Sequence, residues 1–298
     1  MEMGEDVVRR LRRELRHNQR GATLVWVMLA MVALIAMLAL VIDGGYAYAQ
    51  RRRMQNAADA AAIAGVRICA LGGNPTQVDS AVSQYATANG ASAASWSYLN
   101  GQTTVEVTAS RTFPTFFAGF VGLPQMTASA VAQASIEYLS EADNLLPMIV
   151  EDDDFIIGQT YDLWNDDPEA PGNFGWLDWN GGSPSAPELA NNIANPSNSS
   201  YWEIGDLVPG CPGSSSSSQV RSALNGRIGQ HVTIPFYDEV QGTGNNTTYR
   251  ISGFGEFVLE GHQLTGKNKK VWGHFVRWVE LGQGGGPNHG LSSVRLTQ

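Results

Sequence analysis

The apolar positions of the chain are unevenly distributed, and the longest run, residues 22–42, contains no charge, no proline and no glycine. At about 1.5 Å per residue a helix of this length reaches about 31 Å, close to the roughly 30 Å hydrocarbon core of a bilayer. A buried helix of a soluble domain normally has a polar face, and this run has none. The pattern therefore predicts a transmembrane helix, anchored in the lipid bilayer by side chains that include Ala22, Leu34, Leu38 and Ile42.

Arginines flank the run on both sides. Three follow it at residues 51–53, and six precede it: Arg9, Arg10, Arg12, Arg13, Arg16 and Arg20. The positive-inside rule then places the N-terminus in the cytoplasm. We expect a single-pass membrane protein whose remaining residues are extracytoplasmic.

A cleaved signal peptide is the alternative, because residues 47–49 read Ala-Tyr-Ala, a small-x-small cleavage pattern. The apolar region of a signal peptide normally runs about 7–15 residues. The longer run favours an anchor that is not cleaved.

The alanine-rich segment 50–70 follows, and no proline interrupts it. Alanine is the best helix former, so we expect the membrane helix to continue outward as a stalk, with a hinge at Gly44 and Gly45. Small or apolar residues at helical spacing predict one packed face of this stalk: Met54, Ala58, Ala61, Ala62 and Gly65.

Residues 74–138 predict a small α/β unit. A helix begins after an Asn74 cap and ends at Asn89-Gly90, with Val78, Val82 and Tyr85 on one face. The turn at Asn100-Gly101 leads into the alternating strand 103–110, and 126–138 forms another strand.

Between these strands, residues 114–123 predict a short apolar helix. Its phenylalanines, Phe116, Phe117 and Phe120, are expected to pack in the core against the two strands. The alternative is a contact with a membrane or a partner.

The polar segment 140–144 is the predicted domain boundary. Beyond it, short apolar runs alternate with Gly, Pro, Asn and Ser, which is typical of a mostly β sandwich or barrel. The predicted strands are 148–150, 159–164, 175–178, 202–208, 231–236, 249–259 and 271–281, with helices over 188–194 and 219–228. The fold class is α+β, in four segments: a cytoplasmic basic tail (1–21), a transmembrane helix (22–42), a stalk with a small α/β unit (43–139), and an extracytoplasmic mostly β domain (145–298).

The N-terminal segment resembles the Flp/Tad pilus-assembly TadG-like family. The resemblance rests on Arg20-Gly21-Ala22, Val41-Ile42-Asp43, Tyr46 and the alanine-rich stretch 55–65, with a weaker likeness at 115–117, 122–123 and 127–130. It implies a membrane-anchored component of the bacterial machinery that builds Flp pili, with other pilus-assembly or envelope proteins as partners. It does not imply an enzyme. The metal motif D-x-S-x-S that some relatives carry does not occur in this sequence.

Charge and cysteine content narrow the function further. The net charge is −9, and most of the acidic excess lies beyond residue 140, so nucleic acid is not expected as a partner. The two cysteines, Cys69 and Cys211, could form a disulfide outside the cell, or one could be buried and the other a free loop thiol.

Three groups of residues could carry chemistry in the outer domain. The acidic segment 151–154, together with Asp162, Asn165, Asp166, Asp167 and Glu169, offers calcium-type oxygen ligands, but the spacing matches no EF-hand, and a solvated loop is expected. Trp164, Trp176, Trp179 and Trp202 could stack on sugars, although a buried core is the commoner use of Trp. The histidines His231, His262, His274 and His289 match no catalytic motif.

We therefore expect a non-catalytic structural protein with no cofactor and no metal. Two alternatives remain open: a surface module that binds envelope carbohydrate, and a secreted hydrolase released by cleavage after Ala49.

Overall fold

The computed structural model describes residues 19–163, 175–182, 185–211, 216–266 and 269–297. Its dominant element is α1 (Gln19–Ala70), a single helix of 52 residues. It passes through Gly44 and Gly45 without a break, so the predicted span and stalk are one continuous helix and the predicted hinge does not interrupt it. Alanine density and the absence of proline explain its length.

Helix α2 (Pro75–Ala88) lies against the stalk. The Asn74 side chain accepts a hydrogen bond from the Gln77 backbone N–H at 3.0 Å, and the Gln77 side chain accepts one from the Asn74 N–H at 2.9 Å. These two bonds form a capping box, as the predicted start requires. Tyr85, predicted on the packed face, is instead exposed.

The buried residues of α2 follow a strict four-residue spacing, namely Val78, Val82 and Ala86. An alanine at the third position fits the narrow gap beside the stalk, where a tyrosine ring would be too large.

The inner sheet packs against the outer half of α1. Its first three strands are β1 (Ala93–Leu99), β2 (Thr104–Pro114) and β3 (Gln125–Tyr138), all antiparallel. Strand β1 was not predicted, although Trp96 and Tyr98 alternate with serines. The predicted helix over 114–123 is a loop with one 3₁₀ turn, Ala118–Val121.

The outer sheet contains β9 (His231–Gln241), β10 (Thr248–Gln263) and β11 (Lys270–Val276) as its long strands. Three short strands complete it: β5 (Val150–Glu151) beside β9, β6 (Thr160–Asp162) beside β11, and β8 (Leu207–Pro209) beside β10. A separate two-stranded sheet joins β4 (Glu141–Ala142) to β7 (Trp202–Glu203). Helices α3 (Ala186–Ala194) and α4 (Ser218–Asn225) pack buried side chains against the long strands of the outer sheet, and together they form the outer core.

Two predicted strands are divided in the structure. The run 202–208 is broken between β7 and β8, where Gly205 has a φ of +96°. The run 271–281 is divided at Arg277, so that β12 (Trp278–Val279) leaves the outer sheet. The predicted strand 175–178 contributes only the isolated bridges of Trp176 and Leu177.

The last strand, β13 (Leu291–Leu296), crosses the predicted domain boundary. It pairs antiparallel with β3, from Ser292 opposite Tyr138 to Leu296 opposite Ala134, and β12 pairs parallel with it. The inner sheet therefore has the order β1-β2-β3-β13-β12. The chain is α+β with a β-rich C-terminal part, and strands from both sides of the predicted boundary at 140–144 share the inner sheet.

Candidate membrane-anchoring site

The N-terminal half of α1 exposes apolar side chains on every side. Leu34 is 65 % exposed and Leu38 is 56 % exposed. Ile42 is at the end of this exposed stretch and is partly exposed, whereas Met54, about three turns later, is fully buried. This is the one helix among the described residues that is long and apolar enough to cross a membrane.

The other residues predicted to anchor or orient the span are only partly described. Ala22 and Arg20 lie in the first turns of α1, and their side chains are not described. Five arginines lie outside the described residues: Arg9, Arg10, Arg12, Arg13 and Arg16. The second cluster, 51–53, is exposed on the stalk.

Asp43, the first residue after the span, is nearly buried. Its carboxylate accepts three backbone hydrogen bonds: from Phe116 N–H at 2.8 Å, from Phe117 N–H at 2.9 Å and from Ala118 N–H at 2.6 Å. Hydrogen bonds to a charged acceptor are stronger than neutral ones. The carboxylate therefore joins the start of the stalk to the loop between β2 and β3.

One turn further along α1, the Tyr46 ring reinforces this junction. Its centroid lies 5.2 Å from that of Phe113 and 5.3 Å from that of Phe116, with edge-to-face geometry in both pairs. Such aromatic pairs add to the stability that burial alone provides. The base of the loop is therefore held by packing as well as by hydrogen bonds.

The same loop exposes large apolar side chains at its base and at its tip. Phe120 is 89 % exposed, Phe116 is 60 % exposed and Leu123 is 59 % exposed. The predicted core packing is wrong for Phe116 and Phe120, because both rings are exposed on the loop. Phe117 is half-buried.

The loop is closed by its own hydrogen bonds. The Thr115 N–H donates to the Pro124 carbonyl at 3.1 Å, and the Thr115 hydroxyl donates to the Leu123 carbonyl at 2.6 Å. The Leu123 N–H donates to the Ala118 carbonyl at 2.9 Å. Gly122 takes a φ of +91°, which only glycine adopts readily. The exposed side chains are thus presented on an ordered loop.

Among the described residues of the outer domain, the carboxyl group of Glu256 has a strongly raised pKa. Burial raises the pKa of Glu256 to about 7, the Thr233 hydroxyl opposes this shift by donating to the carboxylate at 3.1 Å, and nearby Glu280 adds to it. His231 Nδ1 lies 3.5 Å from the same carboxyl group.

The remaining histidines are distributed over separate places. His274 contacts Glu260 at 2.8 Å, and His289 lies 3.4 Å from Asp152. Burial lowers the pKa of His289, and Asp152 opposes that shift. Burial also lowers the pKa of His262.

The acidic residues considered for calcium are also dispersed. Asp162 forms an ion pair with Lys270 at 3.2 Å, while 152–154 border a surface cavity near His289. Asn165, Asp166, Asp167 and Glu169 lie outside the described residues. Within the described part of the chain, no group of three or more His, Cys, Asp or Glu side chains is placed to hold a metal ion.

The tryptophans do not form one surface. Trp176 is fully buried in the outer core, and Trp179 and Trp202 are half-buried with ring centroids 5.8 Å apart. Trp164 lies outside the described residues.

The two cysteines border different cores. Half-buried Cys69 packs beside the alanine-rich core, fully buried Cys211 belongs to the outer core, and no disulfide joins them in the structure. Burial raises the pKa of the Cys69 thiol, and its hydrogen bond with Tyr98 partly offsets that shift.

Sequence reasoning missed the role of Asp43. A usable signal was present: an uncharged stretch from Thr112 to Ile136 contains four phenylalanines, and Asp43 is the first charge after the predicted span. Only the fold shows that these two places meet.

Residues 21–67 match the family model described as Flp pilus-assembly TadE/G-like. The matched segment includes the exposed span, Asp43 and most of the stalk. No curated protein and no solved structure matches the chain.

Proposed function

We propose that this protein is a membrane-anchored, non-catalytic structural component of Flp/Tad-type pilus assembly or of the cell envelope. The observation that carries the proposal is the change in side-chain exposure along α1 within residues 21–67. The same matched helix exposes apolar side chains before Asp43 and buries alanines against a sheet from Met54 onward. That division is what a protein needs when half of a helix lies in lipid and half supports a folded domain.

The proposed topology is a single pass through the bacterial cell membrane, with the N-terminus in the cytoplasm and the folded part outside. The excess of arginine before the span supports this orientation. The bilayer and other pilus-assembly or envelope proteins are the proposed partners.

The geometry of the stalk supports an anchor that is retained. Ala49 lies within continuous α1, Gln50 is nearly buried, and Tyr46 and Ala47 pack against the alanine-rich core. Cleavage after Ala49 would remove Asp43 and Tyr46, which hold the base of the β2–β3 loop.

A structural role is also supported by the dispersal of the titratable groups. His231, His274 and His289 contact acids on different parts of the outer domain. A general acid or base needs its partner within hydrogen-bond reach of one reacting atom. Other envelope proteins are the binding partners that this proposal requires.

Topology is tested with a reporter that is active only outside the cytoplasm, fused after Gln298. We expect activity, and we expect the protein to remain in the membrane after carbonate extraction. Cytoplasmic activity of the fusion would overturn the orientation. The mass of the mature N-terminus separately tests release after Ala49.

The anchor is tested by Leu34→Arg and Leu38→Arg, each made singly. Each should cost about 3 kcal/mol of insertion free energy, because arginine at the centre of a span is strongly disfavoured. We expect loss of the protein from the membrane fraction. Asn56→Arg, an exposed position on the stalk, is the matched control and should be retained.

Pilus assembly is tested in a piliated host. Deletion of the gene should abolish surface pili counted by electron microscopy, and the wild-type chain but not Leu34→Arg should restore them. Normal piliation without the protein would favour an envelope role outside pilus assembly.

A further inference from the structure

We propose that the β2–β3 loop, residues 115–124, is a second membrane contact whose apolar tip enters the outer headgroup layer beside the span. This inference rests on the anchoring proposed above and adds a lipid-binding surface to it. Its occupant is the lipid bilayer, and the contact residues are Phe116, Phe120 and Leu123.

The position of the loop follows from Asp43. This residue directly follows Ile42, so three backbone hydrogen bonds of 2.6 to 2.9 Å hold the loop at the level where the span leaves the hydrocarbon core. The other hairpin turn of the sheet, at residues 100–102, is at the opposite end of β2. The loop therefore faces the membrane when α1 crosses it.

The chemistry of the loop suits a lipid interface. From Thr112 to Ile136 the sequence contains no charged residue, so insertion desolvates no ionised side chain of the loop itself. Several backbone N–H groups of the loop are already paired, with Asp43 or with carbonyl groups of the loop itself. Backbone groups need such partners before they enter an apolar medium.

The exposure pattern favours lipid over a folded protein as the occupant. Phe120 is 89 % exposed on an uncharged loop tip, and the loop is bonded to Asp43, the residue that follows the exposed apolar surface of α1. Phenylalanine and leucine are common on surfaces that lie in the headgroup and acyl boundary. One bilayer covers both surfaces without any additional partner.

The test places an environment-sensitive fluorophore at Phe120→Cys in the full chain, in a Cys69→Ala background. Cys211 is fully buried, and the background chain measures residual labelling. The protein is reconstituted into vesicles of phosphatidylcholine and phosphatidylglycerol that contain nitroxide-labelled lipid. Leu34→Cys reports the span, and exposed Thr103→Cys, at the other end of the sheet, is the aqueous control.

We expect strong quenching at Leu34→Cys, clear quenching with a blue shift at Phe120→Cys, and neither at Thr103→Cys. Quenching at Leu34→Cys with a Phe120→Cys label that resembles the Thr103→Cys label would overturn the loop contact and leave the anchor intact. If all three labels are aqueous, the anchor itself is wrong and the loop contact falls with it. A Phe120→Cys label that is shielded from water-soluble quencher but not quenched by lipid would indicate a protein contact and overturn the proposal.

Asp43→Asn tests how the loop is held. The amide keeps one acceptor oxygen in place of two, so it cannot maintain the three bonds to the loop backbone. Quenching at Phe120→Cys should fall severalfold, while quenching at Leu34→Cys stays unchanged. Asp59→Asn on the same helix, where the carboxylate accepts a hydrogen bond from the Gln55 side chain at 2.8 Å, is the matched control. Equal quenching in the two variants would contradict the role of Asp43.

Discussion

Two of the three hydrophobic cores formed by the described residues differ in the size of their side chains. Of the 18 buried residues in the inner core, between α1, α2 and the inner sheet, eleven are alanine. The 18 buried residues of the outer core include Trp176, Phe236, Phe257 and Phe275, and none of these described residues is alanine. Small side chains let the stalk backbone lie close to the sheet, whereas large rings fill a wider space between elements.

This difference predicts opposite sensitivities. The inner core has little free volume and should respond most to added atoms, as at Gly65, where a Cβ would lie 2.9 Å from a Val82 methyl group. The outer core depends on the area that its rings bury and should respond most to atoms removed.

The largest expected effect is that of Phe275→Ala in the outer core. Phe275 is fully buried, with ring centroids of Phe155, Phe236 and Phe257 4.5, 5.3 and 5.0 Å away. Truncation leaves a cavity and should lower the free energy of unfolding by about 3–5 kcal/mol. Denaturant titration in micelles measures it, with exposed Tyr201→Ala as the control. A loss no larger than that of Tyr201→Ala would mean that the outer core is loosely packed.

The next effect concerns the pH dependence of stability. It is expected from the outer domain, where the carboxyl group of Glu256 is buried. Its pKa is raised to about 7, so between the ordinary value of 4.5 and about 7 the folded state holds a proton that the unfolded state has lost. The contribution of Glu256 to stability therefore falls as pH rises through this range, by about 3 kcal/mol in total.

Glu256→Gln should remove this dependence and make the protein more stable at pH 8 than the wild type. The amide keeps an acceptor for the Thr233 hydroxyl. Unfolding curves at several values between pH 4.5 and pH 8 measure the change. A wild-type stability that rises over the same range would show that Glu256 stays ionised in the folded protein.

The smallest of the three effects is expected from Ala61→Leu in the inner core. The added carbon atoms have no space between α1 and the sheet, and overpacking should cost about 1–3 kcal/mol. Asn56→Leu, at an exposed position of the same helix, should be close to neutral. The melting temperatures of the two variants make the comparison, and equal values would show that the inner core tolerates added volume.

Local signals predicted three elements of the inner unit, although they missed β1 and placed a helix where the β2–β3 loop lies. The apolar run and the alanine-rich segment predicted α1, the Asn74 cap predicted the start of α2, and alternation around Val105 predicted β2. Each of these features is specified by residues that are neighbours in the chain.

The outer part was less predictable because its pairing is not local. Strand β13 has the sequence LSSVRL, which carries a weak strand signal, and its partner β3 ends more than 150 residues earlier. Nothing near Leu291 indicates that it returns to the first sheet. The predicted boundary at 140–144 consequently divided strands that the fold joins.

The sequence by itself determined that α1 begins with a helix long and apolar enough to cross a membrane and continues with an alanine face, because helix formation and a local apolar run depend on adjacent residues. Only the tertiary structure decided where the phenylalanines of the β2–β3 loop point and which group holds them. Asp43 lies more than 70 residues from that loop, and composition does not distinguish a ring buried in a core from one held at the surface. That distinction depends on the volume left between packed elements. In the inner core this volume is small, because alanine side chains let the elements lie close together.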